Sequence, residues 1–152
     1  MQASARHAPG PQGESGAVAV PFLACMALVA SVYHLPPRVL PSIQSVEGGQ
    51  IGSVGRNADG SEDLGVMQVN TLWLAPLARL SRLPGPEVRR RLVEEPCFGI
   101  AAAGAILRLY LDETNGDLML AIGDYHSHTP ALNQHYRLAV MQAAFRLFVR
   151  PH

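Results

Sequence analysis

From Ser15 to Pro37 the chain carries no formal charge, and residues 17–33 are strongly apolar. A stretch of this kind is a membrane span, the core of a signal peptide, or a first helix packed into the protein. Pro21 lies inside it and Pro36-Pro37 stop it, leaving less than the roughly 20 residues a bilayer requires. The preceding residues are long for a signal n-region, rich in Gly and Pro, and hold Arg6 as their one fixed positive charge. Val29-Ala30-Ser31 offers a cleavage pattern, but its use would remove Cys25. The expectation is a buried helix over residues 21–34 and no stable membrane span. Residues 1–16, small, polar and Pro/Gly-rich, read as a flexible tail.

The remaining pattern is helical, punctuated by Gly and Pro. Pro36-Pro37 open a second helix, since proline is tolerated in a first turn. Val39, Leu40, Ile43 and Val46-Glu47 follow helical spacing, and Gly48-Gly49 end it. Residues 50–62 lack a helical period, and Asn57-Ala58-Asp59-Gly60 is turn chemistry suited to a short hairpin or an irregular lobe. Residues 64–70 and 72–80 look like short helical pieces, followed by a polar segment over residues 84–95. Pro96 precedes a long helix reaching about Asp112, in which Ala101-Ala102-Ala103-Gly104-Ala105 would let neighbouring backbones approach closely. Asn115-Gly116-Asp117 is a turn, and two helices follow, near 117–126 and 130–149, the last with Leu138, Met141, Phe145 and Phe148 on one stripe. The fold class expected is all-α, with at most one small β-hairpin after the second helix. A length of 152 residues suits one domain with a genuine core.

Composition removes several function classes. Twelve basic residues, every one an arginine, balance twelve acidic ones. Arg89-Arg90-Arg91 sits beside Glu87, Glu94 and Glu95, which reads as a solvated helix face rather than the one-signed stripe that nucleic acid requires. There is no Rossmann fingerprint and no phosphate loop. The two cysteines, Cys25 and Cys97, have no metal-binding spacing; they are either buried thiols, the commoner outcome, or a single staple implying an oxidising compartment.

Three short stretches carry the chemistry: Ser45-Val46-Glu47-Gly48-Gly49, Asp63-Leu64-Gly65-Val66-Met67-Gln68-Val69-Asn70, and Ala121-Ile122-Gly123-Asp124-Tyr125-His126-Ser127. Each alone has an ordinary explanation: a solvated glutamate, core Met67 and Val69, a packed aromatic. Together and in this order they resemble the goose-lysozyme-like lytic transglycosylases, in particular the small specialised type associated with secretion, conjugation and pilus machines. That family pattern is a catalytic glutamate followed by Ser-Gly, then Gly-Leu-Met-Gln, then an Ala-Tyr-Asn-like motif. Here these stand as Glu47-Gly48-Gly49, Gly65-Val66-Met67-Gln68 and Asp124-Tyr125-His126, within a resemblance covering roughly residues 20–148.

The resemblance implies a lysozyme-like domain over residues 17–150 that cleaves peptidoglycan glycan strands without cofactor or metal. It makes Glu47 the single catalytic acid and base, and Gly65, Met67, Gln68, Asn70, Tyr125, His126 and Ser127 substrate-binding residues. In this role Met67 would pack against a sugar ring, and Gln68 and Asn70 would hydrogen-bond it. The resemblance also implies a Cys25–Cys97 disulfide, a location in the periplasm or cell envelope, and partners in a secretion, conjugation or pilus machine. The chain departs from the pattern at Gly48, where serine is usual, at Val66, where leucine is usual, and at His126, where asparagine is usual, with Asp124 ahead of Tyr125. Three alternatives stay open, one of them a small membrane protein anchored by residues 17–33. In a hydrolytic muramidase, Asp59, Glu62 or Asp63 would activate water; in a non-catalytic peptidoglycan-binding component, Glu47 would be idle.

Overall fold

The computed structural model describes residues 19–149, so the expected tail over residues 1–16 lies outside the described residues. Seven α-helices and one three-stranded antiparallel sheet make up the described part: α1 (Leu23–Val32), α2 (Val39–Glu47), β1 (Val54–Arg56), β2 (Glu62–Leu64), β3 (Val69–Asn70), α3 (Leu74–Ser81), α4 (Gly85–Glu94), α5 (Pro96–Glu113), α6 (Leu118–His126) and α7 (Pro130–Phe148). The fold is mostly helical with a small β part, as the hydrophobic spacing leads one to expect.

Helix α5 is the central post. Its Ile100, Ala103, Ile106 and Leu107 are buried together with Met26 of α1, Leu40 and Ile43 of α2, Ile122 of α6 and Val140 of α7. The run of small residues works as anticipated: a Cβ at Gly104 would overlap the Val29 side chain, so α1 lies close against α5. Helix α1 buries one face only, since Leu23, Leu28 and Val32 remain exposed. No helix among the described residues is long and apolar enough to cross a membrane. The two cysteines form a disulfide between α1 and the first turn of α5, with Cα atoms 5.5 Å apart. Of the two states that composition left open, the staple is the one present.

Three local expectations change. Residues 64–70 are not helical: Leu64 ends β2, Val69-Asn70 form β3, and the two pair antiparallel through Asp63 with Asn70 and Leu64 with Val69. The cause is backbone handedness, because Gly65 at φ 69° and Gln68 at φ 52° both take left-handed conformations that no α-helix contains. The sheet is therefore the expected hairpin extended by a third, two-residue strand. The polar stretch over residues 84–95 is helix α4, opened by Pro in its first turn, with Val88 and Leu92 buried and a solvated face on which Arg90 pairs with Glu87 and Glu94. Helix α7 turns inward a different stripe from the one its sequence suggests. Asn133, Tyr136, Val140 and Ala143 are buried, whereas Leu138, Met141 and Phe145 face outward. The helix carries two apolar stripes, and burial falls to the one bearing Tyr136, whose hydroxyl finds a partner inside.

Candidate active site

Helix α2 ends at Glu47, and Gly48 caps it with φ 64°. A left-handed C-cap favours glycine because no Cβ opposes it. Gly48 thus stands at a position whose backbone suits glycine better than the serine of the family pattern. Glu47 is largely buried on the inner wall of a cleft of about 440 Å³. Its Oε1 accepts a 2.7 Å hydrogen bond from the Tyr136 hydroxyl. Burial raises its carboxyl to about 7; the Tyr136 hydrogen bond pulls it down, and the negative charge of Asp63 pushes it up again. A carboxyl poised there is protonated for a substantial fraction of molecules at neutral pH, which a general acid requires.

Residues of the sheet also line the cleft. Asp63 of β2 accepts hydrogen bonds from the side-chain amides of Asn70, at 3.0 Å, and Asn57, at 3.2 Å. Asn70 also donates to Ser61 Oγ, and its carbonyl oxygen accepts from the Leu72 backbone N–H, capping the short 3-10 turn Thr71–Trp73. Glu62, by contrast, points away and pairs with Arg89 at 2.9 Å. Asp59 is spent locally on Ser61, accepting from both its backbone N–H and its hydroxyl.

Of the residues singled out in the sequence, Glu47, Gln68, Asn70, Tyr125, His126 and Ser127 line this one cleft. Two do not. Met67 is fully buried, so its side chain packs in the core instead of against a sugar ring, and its carbonyl oxygen accepts a 2.9 Å hydrogen bond from Tyr125 Oη. Burial drives the Tyr125 hydroxyl well above its ordinary range, with Glu47 adding to the effect, so it stays a donor. Gly65 shapes the turn: a Cβ there would overlap the Leu92 carbonyl oxygen, on a backbone already at φ 69°. Gly65→Ala is expected to destabilise the protein by about 2–3 kcal/mol, from left-handed strain plus forced backbone movement. Urea unfolding of the variant checks this.

Tyr136 has no place in the three sequence stretches, yet it is the side chain that contacts Glu47. Its ring stacks on His126, centroids 4.8 Å apart and planes 9° from parallel. The third motif and the last helix thus meet over the acid. Asn133, one turn earlier on α7, donates to Asp124 at 2.9 Å and to the Ser127 carbonyl at 3.2 Å, pinning that motif to α7. The one signal available in the sequence is that Asn133 and Tyr136 are polar residues three apart on a stripe that otherwise reads as core. Trp73, Tyr110 and His128 also lie outside the three sequence stretches. They form an edge-to-face row along the cleft, with centroids 5.8 Å and then 5.3 Å apart.

Tyr136→Phe keeps the ring stacked on His126 and removes only the hydroxyl. Since that hydroxyl lowers the Glu47 pKa, its loss is expected to move the alkaline limb of any Glu47-dependent activity to higher pH. The maximal rate should fall by about tenfold as one hydrogen bond to a charged group is lost. A limb that moves down, or a profile and rate both unchanged, contradicts this assignment.

No family model matches the chain. Curated relatives do: the invasion protein IagB of Salmonella typhimurium, in strains SL1344 and LT2, and of Salmonella typhi. Each is 27% identical over 106 residues, covering 69% of this chain and 62% of the relative. The chain therefore spans less than two thirds of the length of the curated relatives it matches.

Proposed function

We propose that this chain is a peptidoglycan lytic transglycosylase with a lysozyme-like domain over residues 17–150. The observation that carries this reading is Glu47, with its carboxyl raised to about 7 and held by Tyr136 in a cleft lined by amides and aromatic faces. In the first step protonated Glu47 gives its proton to the oxygen joining N-acetylmuramic acid to N-acetylglucosamine. The muramic N-acetyl oxygen supports positive charge at the anomeric carbon. In the second step Glu47, now carboxylate, takes the proton of the muramic C6 hydroxyl as that oxygen attacks the anomeric carbon. A 1,6-anhydro end results, no water is consumed, and Glu47 is protonated again. Gln68, Asn70 and Ser127 supply hydrogen bonds to the sugar, and Tyr125 braces the wall through the Met67 carbonyl. The disulfide supports a periplasmic or envelope location. The role we propose is local wall opening for an envelope-spanning machine, as the resemblance to the secretion-, conjugation- and pilus-associated type implies.

A second reading is favoured by one observation. Asp63 faces the cleft as an oriented carboxylate, and two carboxylates in different environments are what a hydrolytic muramidase uses. Digestion of purified sacculi tests both readings, and failure to release soluble muropeptides would contradict both. Asp63→Asn separates them. Transglycosylation through Glu47 alone predicts a loss under about tenfold, whereas hydrolysis predicts about 100-fold or more, the usual worth of a catalytic base.

A further inference from the structure

Two apolar stripes run along α7 and one of them is left uncovered. Leu138, Met141 and Phe145 are 54%, 47% and 63% exposed. Their i, i+3, i+7 spacing is that of a helix-packing seam. Beside them, a groove of about 550 Å³ lies between Met119 of α6 and Gln134, Arg137, Leu138 and Met141 of α7. Arg137 Nε is buried in the structure without a hydrogen-bond partner, and neither Arg137 nor Arg146 belongs to any ion pair among the described residues. An N–H of a guanidinium left in that state lacks the acceptor it needs. No carboxylate can come from the same helix, since no Asp or Glu follows Asp124 in the sequence, and the other buried polar atom without a partner among the described residues is Asn133 Oδ1, one turn earlier.

We propose that the α6–α7 groove and the outward stripe of α7 seat an acidic amphipathic helix of a partner protein. Its apolar side chains lie on Leu138, Met141 and Phe145, and one of its carboxylates accepts from Arg137. The groove-lining span from Ala131 to Phe145 is about 21 Å at 1.5 Å per residue, so the partner helix is about four turns long. Met119 and Met141 give the floor the adaptability that methionine brings to helix-binding grooves. Two alternative occupants fit less well. A second copy of this chain would set arginine against arginine across a symmetric contact. A flat lipid surface would meet the outward stripe but has no projecting side chain to enter the groove beside Arg137. This surface is independent of the Glu47 chemistry.

The test titrates the ¹⁵N-labelled full chain with a synthetic helical peptide carrying Leu at seam positions and Glu on its flanks, and with the same peptide bearing Lys for every Glu. The acidic peptide should shift the amides of Met119, Arg137, Leu138, Met141 and Phe145 and bind at least about tenfold more tightly than the basic one. Arg137→Gln should weaken the acidic peptide by about fivefold or more and leave sacculus digestion unchanged. Equal affinity for the two peptides, shifts confined to other surfaces, or an Arg137→Gln chain that binds as before would overturn the proposal. So would vesicles of phosphatidylglycerol shifting the same amides, or concentration-dependent self-association of the chain through this stripe.

Discussion

Glu47→Gln is expected to stop release of soluble muropeptides from purified sacculi, a loss of about 10⁴-fold that takes the rate to background. The size follows from one group doing two jobs. A positioned acid or base contributes about 10²–10⁴-fold, and here the same carboxyl donates in the first step and accepts in the second. Glutamine retains the volume and an oxygen that accepts from the Tyr136 hydroxyl at the 2.7 Å site, so the fold should persist. Thermal unfolding of the variant, run beside the digestion, separates lost chemistry from lost structure. The wild-type profile should fall as pH rises through about 7, because the carboxyl must enter the first step protonated and burial sets its titration there. A chain that kept its rate unchanged to pH 9 would not be using Glu47 as its acid.

The second large effect concerns the staple. Replacing Cys25 and Cys97 together by alanine, or reducing the bridge, is expected to lower stability by about 4 kcal/mol, the chain-entropy value for a loop closed over a sequence separation of 72. For a domain of this size that corresponds to a fall in Tm of about 10 °C, measured by calorimetry with and without reductant. Helix α1 should be the element released. It is held otherwise by buried Met26, Val29 and Ala30 and by partly buried Phe22 and Tyr33 at its ends, while Leu23, Leu28 and Val32 face away from the core. A change below about 1 kcal/mol would mean that α1 is secured by packing and that the bridge is incidental.

How much of this was visible in the residues divides along physical lines. Helix ends set by local chemistry were legible: Gly48-Gly49 closing α2 behind Glu47, Pro96 opening α5, and Asn57 to Gly60 turning a hairpin. Residues 64–70 read as helical in sequence because apolar Leu64, Val66, Met67 and Val69 suit either a short helix or a strand-turn-strand. The decision rests on left-handed backbone at Gly65 and Gln68, and the latter leaves no compositional mark. On α7 the more apolar stripe, Leu138, Met141 and Phe145, is the exposed one, and burial of Asn133, Tyr136, Val140 and Ala143 depends on helices far away in the chain. The same non-local cause hid the partner of Glu47. Tyr136 lies 89 residues from it, and no spacing rule connects them. Met67 illustrates the converse: the motif drew attention to its side chain, while the structure employs its backbone carbonyl and buries the rest. Asp63 was weighed alongside Asp59 and Glu62 as an undifferentiated carboxylate. Only the fold tells them apart: Glu62 turns to Arg89, Asp59 lines the cleft but is bonded to Ser61, and Asp63 faces the cleft held by Asn57 and Asn70.

The exposure of α7 and the acid in the cleft make separate demands on experiment, and the acid is central. Its most direct measurement is the mass of the muramic end produced from purified sacculi by the full chain. Glu47 acting as acid and then as base predicts 1,6-anhydromuramic ends, lighter by one water than reducing ends, in wild type and in Asp63→Asn alike. Reducing ends as the sole product would contradict it and assign the second step to water activated by Asp63.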